Sequence, residues 1–328
     1  MSFTKKVAIE SSMIRFRRVL SVWCVALGVG WAAAVAAPPE DLINAANNGD
    51  VATVQTLLAK GADVNAKANN GATALILASQ NGHIEVVQAL LAKGADVNVK
   101  MTDGATALFL ASLNGHNELV QALLAKGADV NAKLRNGMSA LFLASQKGYN
   151  EVVQALLTKG ADVNAQANNG ATALIQASRM RHSEIVRTLL AKEADVNAKM
   201  KDGTTALMLA SQKGDNEVVE ELLAKGAEVN AKTNNGATAL IQASRNGYDE
   251  IVHTLLAKGA DVHAKTKSGA TALIQASMNG HLEVAKALLA KGADVNAKTN
   301  NGTTALIAAT KGGHADVSDL LVKAGAKP

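Results

Sequence analysis

The sequence predicts an all-α repeat solenoid, made of stacked helix-turn-helix units with hairpin-like connecting loops. A short phrase recurs at a constant step of 33 residues. Helix start and stop signals stand at fixed places within each step. Aromatic residues make up only 2% of the chain and hydrophobic residues 48%. The apolar mass is therefore Ala, Leu, Val and Ile, which suits thin helices packed in series rather than one thick core.

The phrase is Gly71-Ala72-Thr73-Ala74-Leu75. It returns at 104–108, 170–174, 236–240 and 269–273, with close variants at 137–141, 203–207 and 302–306. A second phrase, Ala59-Lys60-Gly61-Ala62-Asp63-Val64-Asn65-Ala66-Lys67, returns with the same step as far as 290–298. Together they define seven full units over 68–298, a shortened capping unit at 37–67 and a final capping unit at 299–328.

Each unit reads as helix, turn, helix, loop. In the unit that starts at residue 68, Thr73 is an N-cap whose hydroxyl accepts from an orphan backbone N–H. Strong helix formers follow from Ala74, and Gly82 ends that helix because glycine adopts the left-handed conformation cheaply. Glu85 suits the positive end of the second helix. Val86, Val87, Leu90 and Leu91 form its apolar stripe, Lys93 sits at its negative end, and Gly94 stops it.

The pattern Gly-x-Thr-Ala-Leu, followed by Gly-His-x-Glu-Val-Val-x-Ala-Leu-Leu-Ala-Lys-Gly-Ala-Asp-Val-Asn-Ala-Lys, resembles the ankyrin repeat over residues 38–328. The resemblance implies a scaffold that binds another protein through its concave face. The chain departs from the family in one respect: Ile, Phe or Met follows Thr-Ala-Leu where the family carries a histidine that ties one repeat to the next. Apolar contact is expected in its place.

The first residues have another character. Lys5, Lys6, Arg15, Arg17 and Arg18 precede an apolar run from Val19 to Val35, and Ala34-Val35-Ala36 offers small residues at a cleavage site. This is the order of a secretory signal peptide, expected over 1–36. It implies an exported protein, periplasmic or secreted. The alternative is an uncleaved leader that anchors the chain in the inner membrane, since residues 19–37 nearly span a bilayer. Without the leader, 28 basic and 27 acidic residues remain of 33 and 28, so the basic balance of the whole chain argues poorly for nucleic-acid binding. The one cysteine, Cys24, lies in the leader. The rest of the chain therefore has no disulfide, cysteine nucleophile or thiolate metal site.

No catalytic residue, cofactor site or metal site is expected. His83, His116, His182, His281 and His314 share one position after the inter-helix turn. Successive members are about 10 Å apart if neighbouring helices pack normally, whereas one metal needs ligands at about 2 Å. They read as turn residues. The rows from Lys60 and Lys67 offer a polyanion or envelope-surface binder as the alternative, but acidic rows from Asp63 and Glu85 run beside them, as on a solvated face. Delivery to a host cell as an effector is a further alternative. The chain is expected to be monomeric.

Comparing the units with one another separates scaffold from surface. The glycines, Thr-Ala-Leu and Ala-Asp-Val-Asn barely change, while three places vary. At the hairpin tips stand Arg135 and Lys201, and after the first glycine stands Met138. At the end of the first helix stand Leu113, Gln146, Lys147, Arg179, Met180, Gln212 and Arg245. In ankyrin-repeat proteins such positions line the concave face, so these ten are the candidate partner contacts. Leu113, Met138 and Met180 are expected to form an apolar, salt-tolerant centre, while Phe109 and Phe142 replace an inward Ile and belong to the core. In the fifth unit Arg181 and Glu193 replace turn glycines, each costing about 1 kcal/mol if the left-handed backbone persists. They mark either a soft spot or kink, or neutral drift.

Overall fold

The computed structural model describes residues 38–327, and the expected leader lies outside them. Eighteen helices occur among the described residues, in nine pairs. The first two pairs are α1 (Pro39–Asn47) with α2 (Val51–Ala59), and α3 (Ala74–Asn81) with α4 (Ile84–Ala92). Next come α5 (Ala107–Leu113) with α6 (Asn117–Ala125), α7 (Ala140–Lys147) with α8 (Asn150–Thr158), and α9 (Ala173–Met180) with α10 (Ser183–Ala191). Then follow α11 (Ala206–Lys213) with α12 (Asn216–Ala224), and α13 (Ala239–Asn246) with α14 (Asp249–Ala257). The last are α15 (Ala272–Met278) with α16 (Leu282–Ala290), and α17 (Ala305–Gly312) with α18 (Ala315–Lys323). No described helix is long and apolar enough to cross a membrane.

The expected start and stop signals hold the helices. Thr73 Oγ1 accepts from the Ile76 N–H at 3.3 Å, and each later first helix has the same Thr or Ser cap. Gly82 is left-handed, with φ 83°. The connecting loops are turns rather than paired strands, apart from one isolated bridge between Lys133 and Ser139.

Two layers result. Ala74, Ala78 and Ser79 are at most 1% exposed, and these small residues let neighbouring first helices approach closely. The first helices pack against one another more extensively than the second helices do. Unequal packing of two layers bends the stack toward the tighter one, so the first helices and the hairpin tips lie on the concave side. One continuous apolar core runs from Leu42 to Leu321, and Phe109 and Phe142 are in it, each 4% exposed.

Three polar ladders tie repeat to repeat. At the tips, Thr102 donates its N–H to Asn70 O at 2.9 Å, Arg135 to Asp103 O at 3.0 Å and Lys201 to Asn169 O at 2.9 Å. In the Asp-Val-Asn turns, Asn98 accepts from the Asp129 N–H at 2.8 Å and donates to Gly127 O at 3.2 Å. The same Asp residues close their own turns, as when Asp96 accepts from the Asn98 N–H at 2.9 Å. The third ladder is the histidine column. His83 Nε2 lies 3.1 Å from Asn47 O and His116 Nε2 3.1 Å from Gln80 O. A carbonyl can only accept, so these nitrogens donate. The first-helix histidine is replaced by apolar core residues such as Ile76 and Phe109, as expected, and the rings at the second-helix N-caps add a polar tie that the sequence pattern does not assign.

His263 interrupts the asparagine ladder, because it stands where the other units have Asn. Both amide bonds made by Asn230, to Gly259 O at 3.0 Å and from Asp261 N at 2.7 Å, have no counterpart at His263. His263→Asn is expected to raise stability by about 1 kcal/mol, read as a higher urea midpoint at unchanged slope. A lower midpoint would mean that the histidine makes a better contact than the amide.

A column of buried hydroxyls runs along the first helices. Ser79, Ser112, Ser145, Ser178, Ser211, Ser244 and Ser277 are fully buried, and their Oγ atoms have no hydrogen-bond partner. The small side chain explains the position; the hydroxyl itself is a cost. Ser211→Ala is expected to stabilise by about 1 kcal/mol, since it removes an orphan donor and improves helix propensity. Destabilisation in a urea titration would show that the hydroxyl is bonded.

The glycine that closes each inter-helix turn does more than take positive φ. Its missing Cβ makes room for the next repeat's N-cap ring. A Cβ on Gly148 would lie 2.7 Å from His182 Cε1, and one on Gly247 2.5 Å from His281 Nδ1. Arg181 occupies this turn position with φ 64°, and Glu193 keeps φ 62°, so the left-handed backbone persists at both. Opposite Arg181 the next repeat carries neither His nor Tyr but Asp215. The smaller side chain leaves room, Arg181 Nε lies 3.8 Å from Asp215 Oδ2, and Asp215 also caps α12 by accepting from the Val218 N–H at 3.3 Å. The substitution at residue 181 is therefore compensated at residue 215. Nothing comparable faces Glu193.

Candidate partner-binding face

The concave face is built from residues that the helices leave over. Along a first helix the core takes Ala74, Leu75, Ile76, Ala78 and Ser79, while Leu77 is half-buried and Gln80 and Asn81 are exposed. Positions 77, 80 and 81 share one side of the helix, next to the hairpin tips at 69 and 70. The same positions in the later units make one face from end to end.

The ten sequence-derived candidates separate on this face. Arg135, Lys147, Arg179, Met180, Lys201, Gln212 and Arg245 are exposed. Gln146 is half-buried, and its amide donates to Gln176 Oε1 of the next repeat at 3.5 Å. Leu113 and Met138 are also half-buried and pack against the core. Of the expected apolar centre, Met180 is the most open, 44% exposed.

A second exposed methionine lies outside the ten candidates. Met278 is 46% exposed and stands at the helix-end position that also supplies Leu113 and Arg179. It lines a groove of about 340 Å³ with Ser268, Ile274, Gln275 and Asn301. The alignment of units contains this signal, but the apolar bulk of units three to six outweighs it in the sequence.

A groove of about 600 Å³ lies on the other side, between α6 and α8. Curvature opens it, since second helices splay where first helices converge. Gln121, Glu151, Gln154 and Lys159 line much of it. Two carboxylates also lie away from the concave face and are held below their ordinary range. Asp50 owes this to the hydroxyl and N–H of Thr53, and Glu217 to the Ser183 hydroxyl and then the Arg187 guanidinium. Among the described residues, no three His, Cys, Asp or Glu side chains are placed to hold a metal ion.

Comparison with known families bears on the repeat itself. The family model described as "Ankyrin repeats (3 copies)" matches residues 42–134, 131–200, 194–266 and 258–328. The chain belongs to the ankyrin-repeat family. Ankyrin repeats generally mediate protein–protein interaction, and the fold is typically a non-catalytic scaffold. No curated protein matched the chain.

Within this ankyrin stack, one of the two lysine rows, the one that begins at Lys60, has a structural role. Lys93, Lys126, Lys159, Lys192, Lys225, Lys258 and Lys291 are the C-cap residues of the second helices. There a cation faces the negative end of the helix dipole.

Proposed function

We propose that the chain is an exported ankyrin-repeat scaffold that binds another protein on its concave face. One observation carries the reading. The tip and first-helix-end positions, which vary between units, lie side by side on one face and are mostly exposed, while the glycines, Thr-Ala-Leu and Ala-Asp-Val-Asn repeat and hold the fold. Met180 and Met278 add exposed apolar area to that face, and methionine is enriched at interfaces.

The test is partner capture by the full chain and two variants of equal added charge. Met180→Asp with Met278→Asp is expected to weaken capture by at least about tenfold, since buried anchors dominate interface energetics. Gln121→Asp with Gln154→Asp, in the groove on the opposite side, is expected to leave capture unchanged. The reverse result would move the interface to the second-helix groove. Export is read separately from intact mass: the exported chain is expected to begin at Ala37, and a retained leader would support the membrane-anchored alternative.

A further inference from the structure

Charge is sorted along the concave face. From α7 onward every first helix but α15 ends in a cation, at Lys147, Arg179 and Arg181, Lys213, Arg245 and Lys311, all exposed. The tips add Arg135, Lys201 and Lys267, also exposed. In the same tip-to-helix-end stretches (134–147, 167–181, 200–213, 233–246, 266–279 and 299–312), Asp202 is the one acidic residue. The front of the face lacks these cations: 38–48, 68–81 and 101–114 hold no Lys or Arg, and Asp103 stands at a tip there. Among the described residues, Arg181 alone of these cations has an ion-pair partner. Acidic and basic residues nearly balance after residue 36, so the compensating acids stand elsewhere, notably at Glu184, Glu217 and Glu250 in the first turns of second helices.

Unpaired like charges one repeat apart raise the potential of a concave surface and attract the opposite charge. We propose that the concave face of units four to nine binds an acidic, extended polypeptide segment whose carboxylates recur about every third residue. The proposal rests on the concave face being the protein-binding face. The spacing follows from geometry. Adjacent repeats are about 10 Å apart, and a chain in the extended polyproline-type helix has three residues per turn and advances about 3.1 Å per residue, so every third side chain comes over the next repeat on the same side. Met180 and Met278 offer apolar contact for the side chains between. The front stretches hold no cation and carry Asp103 at a tip, so the site begins at unit four. A single-stranded nucleic acid fits less well. Base stacking needs exposed aromatic rings, whereas Phe109 and Phe142 are buried and Tyr149 and Tyr248 pack against turn glycines.

The experiment is a binding titration of the full chain with a synthetic peptide of six Glu-Pro-Leu triplets. Its prolines favour an extended helix of about 3.1 Å per residue. A Lys-Pro-Leu peptide of equal length and an 18-nucleotide oligo-dT are the comparison probes. The acidic peptide is expected to bind, more weakly as salt rises, and the lysine peptide not to bind. Arg179→Glu with Arg245→Glu is expected to weaken binding at least about tenfold. Lys93→Glu with Lys126→Glu, an equal charge change at second-helix C-caps, is expected to change it less than about twofold. No binding of the acidic peptide, equal loss in both pairs, or tighter binding of oligo-dT would each overturn the proposal. If the peptide fails while the Met180 and Met278 variant still loses its captured partner, the concave-face reading stands and the acidic partner falls. If both tests fail, both fall.

Discussion

Gly247→Arg is expected to lower stability by about 3 kcal/mol, and the same change with His281→Asp by only about 1 kcal/mol. At Gly247 φ is 77°, and an added Cβ would meet His281 Nδ1 at 2.5 Å. The left-handed backbone costs a non-glycine residue about 1–2 kcal/mol, and displacing a packed ring costs about 1–3 kcal/mol more. The double variant copies the arrangement that the chain already has at Arg181 and Asp215. There the ring is absent, the cation meets a carboxylate at 3.8 Å, and the carboxylate caps a helix. His281→Asp gives up the contact of the His281 ring with Arg245 O at 3.1 Å, but gains a better N-cap. A double-mutant cycle by urea unfolding should return a coupling of about 2 kcal/mol. Additive effects would mean that the ring and the glycine do not exclude each other's substitutes.

Leu174→Ala is expected to cost about 2–5 kcal/mol, as buried leucine truncations do, and also to change the form of the unfolding transition. Leu174 is 1% exposed, in the first helix of the fifth unit. In a nearest-neighbour array a weak central unit uncouples the two sides, so one transition should become two. Arg181 and Glu193 lie in the same unit and keep strained backbones, which makes it the natural place to split. Leu42→Ala removes the same atoms from an equally buried site at the front, but should only fray the first helix pair. Two-step melting of the Leu42 variant and one-step melting of the Leu174 variant would contradict the nearest-neighbour account.

The features legible in the sequence are local. Thr73 as a cap, Gly82 as a stop and the stripe of Val86, Val87 and Leu90 each depend on residues within a few positions of one another. All are as expected in the structure. The features that are not legible span a repeat. His83 reaches a carbonyl 36 residues earlier in the chain, so in the sequence its column has the look of turn residues with no polar duty. The exchange of Gly for Arg181 and of His or Tyr for Asp215 is visible there as two irregularities. Only the packing of one turn on the next makes them a pair. On the concave face, Arg179, Lys201 and Arg245, which the comparison of units singles out, are exposed. Leu113, the last residue of α5, and Met138, two residues before α7, are half-buried, and how far each is covered depends on the packing of the repeats rather than on its neighbours in sequence. The sorting of charge is hidden for a related reason. Counted by sequence rows, lysines and acids alternate; counted by face, units four to nine are almost wholly cationic.

The most direct test of a concave binding face is site-specific photo-crosslinking. A photoreactive residue is placed at Arg179 on the concave side and, in a separate sample, at Gln154 in the groove on the opposite side; both positions are exposed. The account predicts that the Arg179 probe gives a discrete crosslinked partner protein, with acidic residues in the crosslinked segment, and that the Gln154 probe gives none. A discrete partner at Gln154 with none at Arg179 would place the interface on the second helices and contradict the account.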